Sequence, residues 1–414
     1  MSEFRTVEAV CASVVDELYK NVIPFWKQFS PDSTHGGFFA CLDQHGEVYD
    51  NRKFMWLNGR QIWMFARICS GSSDEELSSL SGGKLSRSEM LQLADKAAEF
   101  TLKHAFREDG LAYFSLAADG APYHFERKIF SACFICAGLG ALSAHKTLPN
   151  SDQYAAKAMS ILQSIISLAH DPSPLGRPDC PGAPQVSPMN VPMILLNIIC
   201  ELRIAGVVTG DNEALCAKEE EWCIDEILKH VIPDRQLVLE NVSVDGSLID
   251  SYDGRHMNPG HAIEAGWFVL DYAKRVGRED LKATAIQMIE WSFERGWDTE
   301  HGGLFYFLDS DGRSPPYLEW NMKLWWPHTE AMIAYAMLYK ETRDMHYWKR
   351  FLTIYDYTLA HFSDASGGGE WYGYLDVKGA LTHSFKGGPY KGCFHVPRAL
   401  FFVSNILRDI ASDS

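Results

Sequence analysis

The chain has little positive charge, and its basic residues are scattered. Its 414 residues include 38 Lys and Arg against 54 Asp and Glu, which gives a formal net charge of −16. No run of Lys or Arg is longer than two residues. A nucleic-acid-binding protein needs a concentrated basic surface. The sequence therefore argues against nucleic acids and other polyanions as partners.

Long apolar segments are also missing. The most apolar stretch, residues 191–202, is too short to cross a bilayer and is interrupted by Asn197. The first ten residues, MSEFRTVEAV, contain acidic side chains and lack the apolar centre of a secretory signal. We therefore expect no membrane association and a cytoplasmic location.

Cysteine motifs that would hold a metal are not found. Ten cysteines are present, but only Cys133 and Cys136 form a C-x-x-C pair, inside the apolar run 130–142. A structural zinc site would need a second such pair or nearby histidines. The sequence predicts buried free thiols, which suit a reducing compartment.

What the sequence does contain is a recurring motif. Residues 31–50 (PDSTHGGFFACLDQHGEVYD) and 297–316 (WDTEHGGLFYFLDSDGRSPP) share Asp, two residues, His-Gly-Gly, an alternating aromatic segment and Asp-x-x-Gly. Similar segments begin at Asp109 and Gly367, and a weaker copy begins at Arg235. Alternating apolar residues bounded by Gly and Asp predict short β-hairpins.

The spacing of these motifs indicates six repeat units. Equivalent glycines at positions 36, 110, 302 and 368 are 74, 192 and 66 residues apart. A further unit then falls near Gly176, where the loop 175–184 has lost its hairpin. Amphipathic helical patterns cover residues 91–106, 154–169 and 281–293. More apolar helical patterns follow each loop, at residues 61–68, 129–142, 192–202, 262–273, 329–338 and 397–406.

This alternation predicts the fold class. Amphipathic helices belong outside, and helices that are apolar all round belong inside. Six outer and six inner helices describe an all-α (α/α)6 barrel, with short β-hairpins in the connecting loops and a single domain over residues 1–414. An open solenoid of helical pairs is the alternative. Residues 70–88 are the one polar loop.

Polar residues gather where the inner helices begin. Proline at the first helical turn marks four of these helices, at positions 192, 259, 327 and 397. Arg60 lies at the equivalent position, at the predicted start of the first inner helix. In a closed ring, equivalent positions of the inner helices lie at the same rim, so these side chains should meet at one pocket. The polar residues that ordinary packing does not explain are Asn190, Asn258, His261, Glu264, His328, Glu330, His395 and Arg398.

Two histidines at this rim suit proton transfer at carbon. His261 follows an Asn-Pro helix start, and the positive end of the helix dipole should keep its ring neutral and able to accept a proton. His395 shares that environment. Two such bases on opposite sides of a substrate can remove a proton from one face and return it on the other. The resulting enolate needs a donor for its oxygen, and Arg60 is the best candidate.

The other rim residues predict a carbohydrate site. Trp325 and Trp326 can form a stacking wall, with His328 and Glu330 at the start of the same helix. Asn190 is assigned to substrate binding, and Glu264 either binds a sugar hydroxyl or orients a histidine. Two alternatives remain open. The imidazoles and carboxylates could hold a metal, although no H-E-x-x-H pairing is present, and the two glutamates could serve a glycosidase.

Several motifs together resemble the N-acylglucosamine 2-epimerase family, over residues 17–408. The motifs are WLNGRQIWMFAR, GLGRP, ENVS, NPGHAIEAGW, HGGLFYF, KLWWPHTEAM, GEWYGYL and KGGPYKGCFHVPR. GLGRP is matched here only as LGRP, from Leu175. The resemblance implies an (α/α)6 barrel that interconverts N-acetylglucosamine and N-acetylmannosamine, in sialic acid metabolism. It assigns catalytic roles to His261, His395, Arg60 and Glu330, with no cofactor or metal in the chemistry.

The resemblance also implies partners. It predicts a homodimer, activation by ATP or another nucleotide that is not consumed, and association with renin. The Gly-rich loop before His395 is a candidate nucleotide contact, although it lacks the P-loop pattern. The wider superfamily contains aldose–ketose isomerases, so isomerisation on the same scaffold is a second hypothesis. A non-catalytic, renin-binding protein is a third.

Overall fold

The computed structural model describes residues 5–177, 182, 185–364, 366 and 368–413. Its helices form two concentric rings. The α-helices are α1 (Val7–Asp16), α2 (Ile23–Phe29), α3 (Met55–Ser70), α4 (Asp74–Ser81), α5 (Arg87–His104), α6 (Phe130–Ser143), α7 (Ser151–His170), α8 (Asn190–Ile204), α9 (Asp211–Leu228), α10 (Pro259–Val276), α11 (Glu279–Gly296), α12 (Trp325–Thr342), α13 (Met345–Phe362) and α14 (His395–Ser412). A π-helical segment, Glu17–Val22, joins α1 to α2, and 3-10 turns occupy Ser173–Leu175 and Pro233–Arg235.

Burial separates the inner helices from the outer helices. The inner ring is α3, α6, α8, α10, α12 and α14, and α12 is buried without interruption from Trp325 to Ala336. The outer helices bury one face only, as α5 does with Ala94, Ala97, Ala98 and Thr101. Positions spaced by three and four residues share one side of a helix, so the predicted division into outer and inner helices is confirmed.

The ring is closed by contact between the first and last inner helices. The indole of Trp63 on α3 lies 5.2 Å from the ring of Phe394 and 6.2 Å from that of Phe402 on α14. An open solenoid would leave these faces unpaired. The (α/α)6 barrel is therefore confirmed.

Short strands occupy the loops that lead into the inner helices. They are β1 (Cys41–Leu42), β2 (Val48–Asp50), β3 (Lys53–Phe54), β4 (Ser115–Leu116), β5 (Pro122–His124), β6 (Val186–Pro188), β7 (Val231–Ile232), β8 (Leu237–Val238), β9 (Asn241–Ser243), β10 (His256–Met257), β11 (Leu308–Asp309), β12 (Lys323–Leu324) and β13 (Tyr374–Leu375). All pairings are antiparallel.

Only some of the predicted hairpins close on themselves. β1 pairs with β2 and β4 with β5, as expected. β11 and β13 instead pair with β10 and β12, the strands that lead into α10 and α12. β9 pairs with β6 rather than with its neighbour β8. The strands thus tie successive units together around one mouth of the barrel, which local sequence alternation cannot reveal.

Several local predictions are corrected or confirmed by the coordinates. The polar loop 70–88 contains the helix α4, capped by the Ser73 side chain. Arg60 does not open its helix, because α3 begins at Met55. Cys133 and Cys136 are buried free thiols, as predicted. Most of the loop 175–184, including Cys180, lies outside the described residues. Among the described helices, none combines the length and apolarity needed to span a bilayer.

Candidate active site

A cavity of ≈ 590 Å³ lies at the mouth where the inner helices begin. We call it the front cavity. Its volume is in the range typical of small-molecule sites. The residues that line it are Trp56, Arg60, Ile194, His261, Glu264, Tyr306, Glu319, Met322, Leu324, Trp325, Trp326, Tyr374, His383, Tyr390 and His395. The predicted convergence of polar residues at one rim therefore holds for Arg60, His261, Glu264 and His395.

His261 is fixed from two sides. Its backbone N–H donates to the Asn258 side chain at 3.2 Å, which caps α10. Its ring Nδ1 lies 3.0 Å from each carboxylate oxygen of Glu240. Nδ1–H donating to this carboxylate leaves Nε2 as the nitrogen available to a substrate.

The surroundings of His261 oppose the expected effect of the helix dipole. Burial alone would lower the pKa of His261, but the carboxylate of Glu240, with those of Glu264 and Glu330, raises it above the ordinary value. The direction of this shift favours the protonated ring rather than the predicted neutral one. A carboxylate in direct contact outweighs the partial charge of a helix end.

Glu240 was missed by the sequence analysis. It lies between β8 and β9, within the ENVS motif, and is 7% exposed. Burial would raise the pKa of Glu240, but the surrounding histidines, His261 foremost, lower it. The available signal was an acidic residue inside an apolar alternating segment, where a buried charge needs a partner.

His395 is held in the same manner by another carboxylate. Its Nδ1 lies 2.8 Å from Oε1 of Glu330, and the residue is 8% exposed. Burial, and then the guanidinium groups of Arg60 and Arg398, lower the pKa of His395 well below its ordinary value. The two histidines therefore share an architecture but have opposite pKa shifts.

Glu330 lies behind His395 and is completely buried. Besides the His395 ring, it accepts from Nε1 of Trp267 at 3.0 Å and pairs with Nη2 of Arg398 at 2.6 Å. Arg398 also donates to Oε1 of Glu264 at 2.7 Å. Glu330 thus acts as a positioning group for His395.

The same network bears on the metal and glycosidase alternatives. Glu264, Glu330 and His395 bring three potential ligand atoms within 4.8 Å of one another. The cationic Arg398 already bridges both carboxylates, and a metal ion would have to displace it. A glycosidase needs one carboxyl group as an acid and the other as a nucleophile or base. Ion pairing of both carboxylates to the same arginine does not suit these two different roles.

Arg60 presents a cation without a carboxylate partner in the described part of the chain. Its guanidinium lies 3.9 Å from the ring of Phe134, 4.4 Å from Trp56 and 4.5 Å from Phe394. Burial, with Arg398 nearby, lowers the pKa of Arg60 to about 9. An arginine held by aromatic faces, with its Nε unbonded, is suited to receive a developing oxyanion.

The tryptophan wall is present as predicted. Trp325 and Trp326 both line the front cavity. The Trp326 ring centroid lies 5.1 Å from that of His261 and 5.9 Å from that of His395. The indole therefore lies close to both histidines and presents a flat apolar surface to the front cavity.

Two predicted substrate contacts do not reach the cavity. His328 is fully buried, its Nε2 accepts from the Leu304 N–H at 2.8 Å, and its Nδ1–H donates to the Leu324 carbonyl at 2.6 Å. Burial lowers the pKa of His328 to about 3, so the ring is neutral and structural. Asn190 begins α8, but the residue of α8 that lines the cavity is Ile194, one turn further on.

The Gly-rich loop 386–393 is anchored by its lysines. Nζ of Lys386 pairs with Asp364 at 2.8 Å, and Nζ of Lys391 pairs with Glu370 at 3.0 Å. Both lysine side chains are completely buried. They hold the loop in place beneath His395 and are not free to bind a phosphate.

Comparison with known proteins identifies the family of the chain. The sequence profile of the N-acylglucosamine 2-epimerase (GlcNAc 2-epimerase) family matches residues 37–399. The N-acylglucosamine 2-epimerase of Bos taurus is 42% identical over 414 residues, with 99% of this chain and 94% of the bovine protein covered. The Homo sapiens enzyme is 40% identical, with 99% and 93% covered.

Solved structures share the fold. Cellobiose 2-epimerase from Bacillus thermoamylovorans B4167 superposes with a TM-score of 0.78 at 19% identity, covering 97% of this chain and 100% of that one. A D-mannose isomerase superposes with a TM-score of 0.76 at 18% identity, covering 97% and 99%. At this level of identity, the likeness establishes the barrel alone.

Proposed function

The chain belongs to the N-acylglucosamine 2-epimerase family, and we propose on that basis that it interconverts N-acetylglucosamine and N-acetylmannosamine. The reaction inverts C2 of the open-chain sugar, next to the aldehyde. Sialic acid metabolism is the proposed setting, because N-acetylmannosamine connects amino sugars to it.

One observation carries the proposal. Two histidines face the same cavity, each with Nδ1 on a buried carboxylate and with one indole between them. Such a pair can address a planar intermediate from two directions. Hydrolysis would not require this arrangement, whereas exchange of a proton between two faces does.

The first step is removal of the C2 proton. The lowered pKa of His395 keeps its ring neutral, so Nε2 can accept the proton from one epimer. The electron pair of the C–H bond forms the C1–C2 double bond, and the carbonyl electrons move to the aldehyde oxygen. Arg60 stabilises the resulting enolate oxygen, and Glu330 stabilises the new imidazolium through Nδ1–H.

The second step returns a proton to the other face. The raised pKa of His261 favours its protonated form, from which Nε2–H delivers its proton to C2 as the carbonyl re-forms. The product is the C2 epimer, with His395 protonated and His261 neutral. Proton exchange with solvent returns both histidines to their initial protonation states. The reverse reaction starts with His395 protonated and His261 neutral.

A second candidate is aldose–ketose isomerisation. The wider superfamily that the sequence motifs resemble contains such isomerases. In that reaction the proton removed from C2 is delivered to C1, and one histidine can perform both transfers. Isomerisation would therefore require only one member of the histidine pair.

Incubation with N-acetylmannosamine in D2O, followed by NMR, distinguishes these functions. We expect N-acetylglucosamine carrying deuterium at C2. A parallel incubation with mannose, whose C2 hydroxyl can become a ketone, tests isomerisation. A ketose formed from mannose, with no epimerisation of N-acetylmannosamine, would contradict the epimerase proposal. His261→Ala and His395→Ala should each abolish turnover. His346→Ala is the matched control, because this histidine lies on the exposed side of α13 and contacts Glu290.

We further propose homodimerisation, activation by ATP or another nucleotide and renin association on the family resemblance. A cytoplasmic location is proposed from the free cysteines, which suit a reducing compartment. The buried, ion-paired lysines of loop 386–393 argue that a nucleotide phosphate binds elsewhere. Calorimetric titration with ATP, and sedimentation at several protein concentrations, would test the first two proposals.

A further inference from the structure

A second cavity lies at the opposite end of the barrel, where the inner helices finish. We call it the rear cavity, and its volume is ≈ 270 Å³. Aromatic side chains form part of its wall, with Trp267 and Phe268 from α10 and Phe401 and Phe402 from α14. Charged side chains also line it, and they are Arg67, Glu201, Asp271, Lys274, Arg275 and Lys340. Because α10 runs between the two ends of the barrel, its first turns line the front cavity and its later turns line the rear cavity.

An unpartnered polar side chain faces this space. Asn197, the residue that interrupts the most apolar segment of the sequence, is 8% exposed and lines the rear cavity. Within the described part of the chain, no group bonds to its amide. Because this amide faces the cavity without a protein partner, a bound molecule can complete its hydrogen bonds there.

The charges around the rear cavity leave one carboxylate uncompensated. Lys274 pairs with Glu341, Lys340 with Asp409, Arg275 with Glu220 and Arg67 with Glu201. Asp271 accepts only from the Cys200 thiol, at 3.3 Å, and no cation of the described residues lies within 4.0 Å of it. The helix C-termini at this end add partial negative charge.

From these features we propose that the rear cavity binds a small organic cation, a protonated amine on a compact apolar body. The ammonium meets Asp271 and the carbonyl oxygen of the Asn197 amide. The body packs against the aromatic side chains, which also attract cations through their faces. The volume limits the ligand to about the size of one aromatic ring with a short substituent.

The rear cavity is connected to the catalytic residues through one side chain. Trp267 forms part of its wall, and the Nε1–H of this indole donates to Oε2 of Glu330 at 3.0 Å. The other oxygen of Glu330 holds Nδ1 of His395 at 2.8 Å. A ligand that moves or restrains Trp267 therefore acts on the positioning of the catalytic base, a consequence that rests on the proposed function.

Binding is tested with 4-fluorobenzylamine as the probe, by 19F NMR titration of the intact protein. We expect saturable binding that the neutral 4-fluorobenzyl alcohol reproduces only weakly and 4-fluorobenzoate not at all. Asp271→Asn should weaken amine binding about tenfold through loss of the charged hydrogen bond. Asp225→Asn, on the exposed side of α9, is the matched control and should bind like the wild type.

Equal binding of amine and benzoate, or an unchanged affinity in Asp271→Asn, would overturn the proposal whatever the enzyme's activity. Coupling is tested separately by measuring epimerisation with saturating amine. We expect kcat to change at least twofold in the wild type and to stay constant in Trp267→Phe, which keeps the wall but lacks the N–H. A constant kcat in both would remove the link to catalysis and leave the binding result standing.

Discussion

Each histidine of the front cavity commits Nδ1 to a buried carboxylate and leaves Nε2 for the substrate. The partners differ in their surroundings. Glu240 belongs to His261 alone, whereas Glu330 is shared with Arg398 and Trp267. Burial and the guanidinium groups beside His395 account for its lowered pKa, and Glu240, with Glu264 and Glu330, accounts for the raised pKa of His261. These opposite shifts favour His395 as a base and His261 as an acid.

Glu240→Gln tests this assignment. A neutral amide cannot support the imidazolium, so the pKa of His261 should fall and the protonated form should be lost at lower pH. We expect kcat at pH 8 to drop by about 10²-fold, with KM nearly constant, and the alkaline limb of the pH–rate profile to move to lower pH. Glu240→Asp should restore part of the rate. An unchanged alkaline limb would show that Glu240 does not set the charge of His261.

His328→Gln distinguishes a structural histidine from a substrate contact. The ring is buried and neutral with a pKa of about 3, whereas the unfolded chain binds a proton below a pKa of about 6.5. The contribution of this site to the free energy of unfolding is therefore fully present above a pH of about 6.5. It falls as the pH decreases below that, by about 1.4 kcal/mol per pH unit. Denaturant unfolding between pH 5 and 7 should show a shallower pH dependence in the variant. A large increase in KM instead would return His328 to the substrate site.

The helix starts are the elements that organise the front cavity. Short strands tie the loops that lead into the inner helices to loops of neighbouring units, which fixes the first turns of these helices relative to one another. α10 illustrates this, because Asn258 caps it, Pro259 begins it and Gly260 lets it approach α12. A Cβ at Gly260 would lie 2.5 Å from Cζ3 of Trp326.

Gly260→Ala should therefore damage the site although alanine favours helices. The added methyl group must displace the indole that lies between His261 and His395, and we expect kcat to fall at least tenfold, since small misplacements at a reacting centre have large effects. The control is Gly71→Ala, at the end of α3, where a Cβ would meet nothing within 4 Å. Equal activity of the two variants would show that the Trp326 position is not critical.

At the scale of the whole molecule, closure of the ring is what brings the first unit to the last. Arg60 lies on α3 and His395 begins α14, more than 300 residues later. Trp63 makes contacts that close the ring. It packs against Phe394 and Phe402 and donates Nε1–H to Glu201 at 2.8 Å.

Trp63→Ala should reduce the free energy of unfolding by about 3–5 kcal/mol and lower the activity of the folded fraction, because Arg60 loses its alignment with His395. Calorimetry and activity measured on the same sample would test both parts. Trp222→Ala on the outer helix α9, where the indole is only partly buried, should cost less. A similar loss of stability and activity in both variants would show that the contacts closing the ring matter no more than those of an outer helix.

Much of the fold was predictable because it is repeated. Periodic apolar residues identified all six inner helices, and prolines in the first turns aligned four of them. Strand partners were not predictable, because two-residue strands pair across units and carry no local signal. The helix α4 was missed, since its short polar sequence resembles a loop and a side-chain cap defines it.

The sequence by itself determined the barrel, the rim at which the polar residues gather, and the histidine pair at that rim. Only the tertiary structure decided what each polar residue does there. It removed His328 from the site, put Glu330 behind His395 and introduced Glu240 as the partner of His261. The reason is physical: periodicity fixes which face of an element a residue occupies, whereas charge state and role depend on neighbours that come from distant parts of the chain.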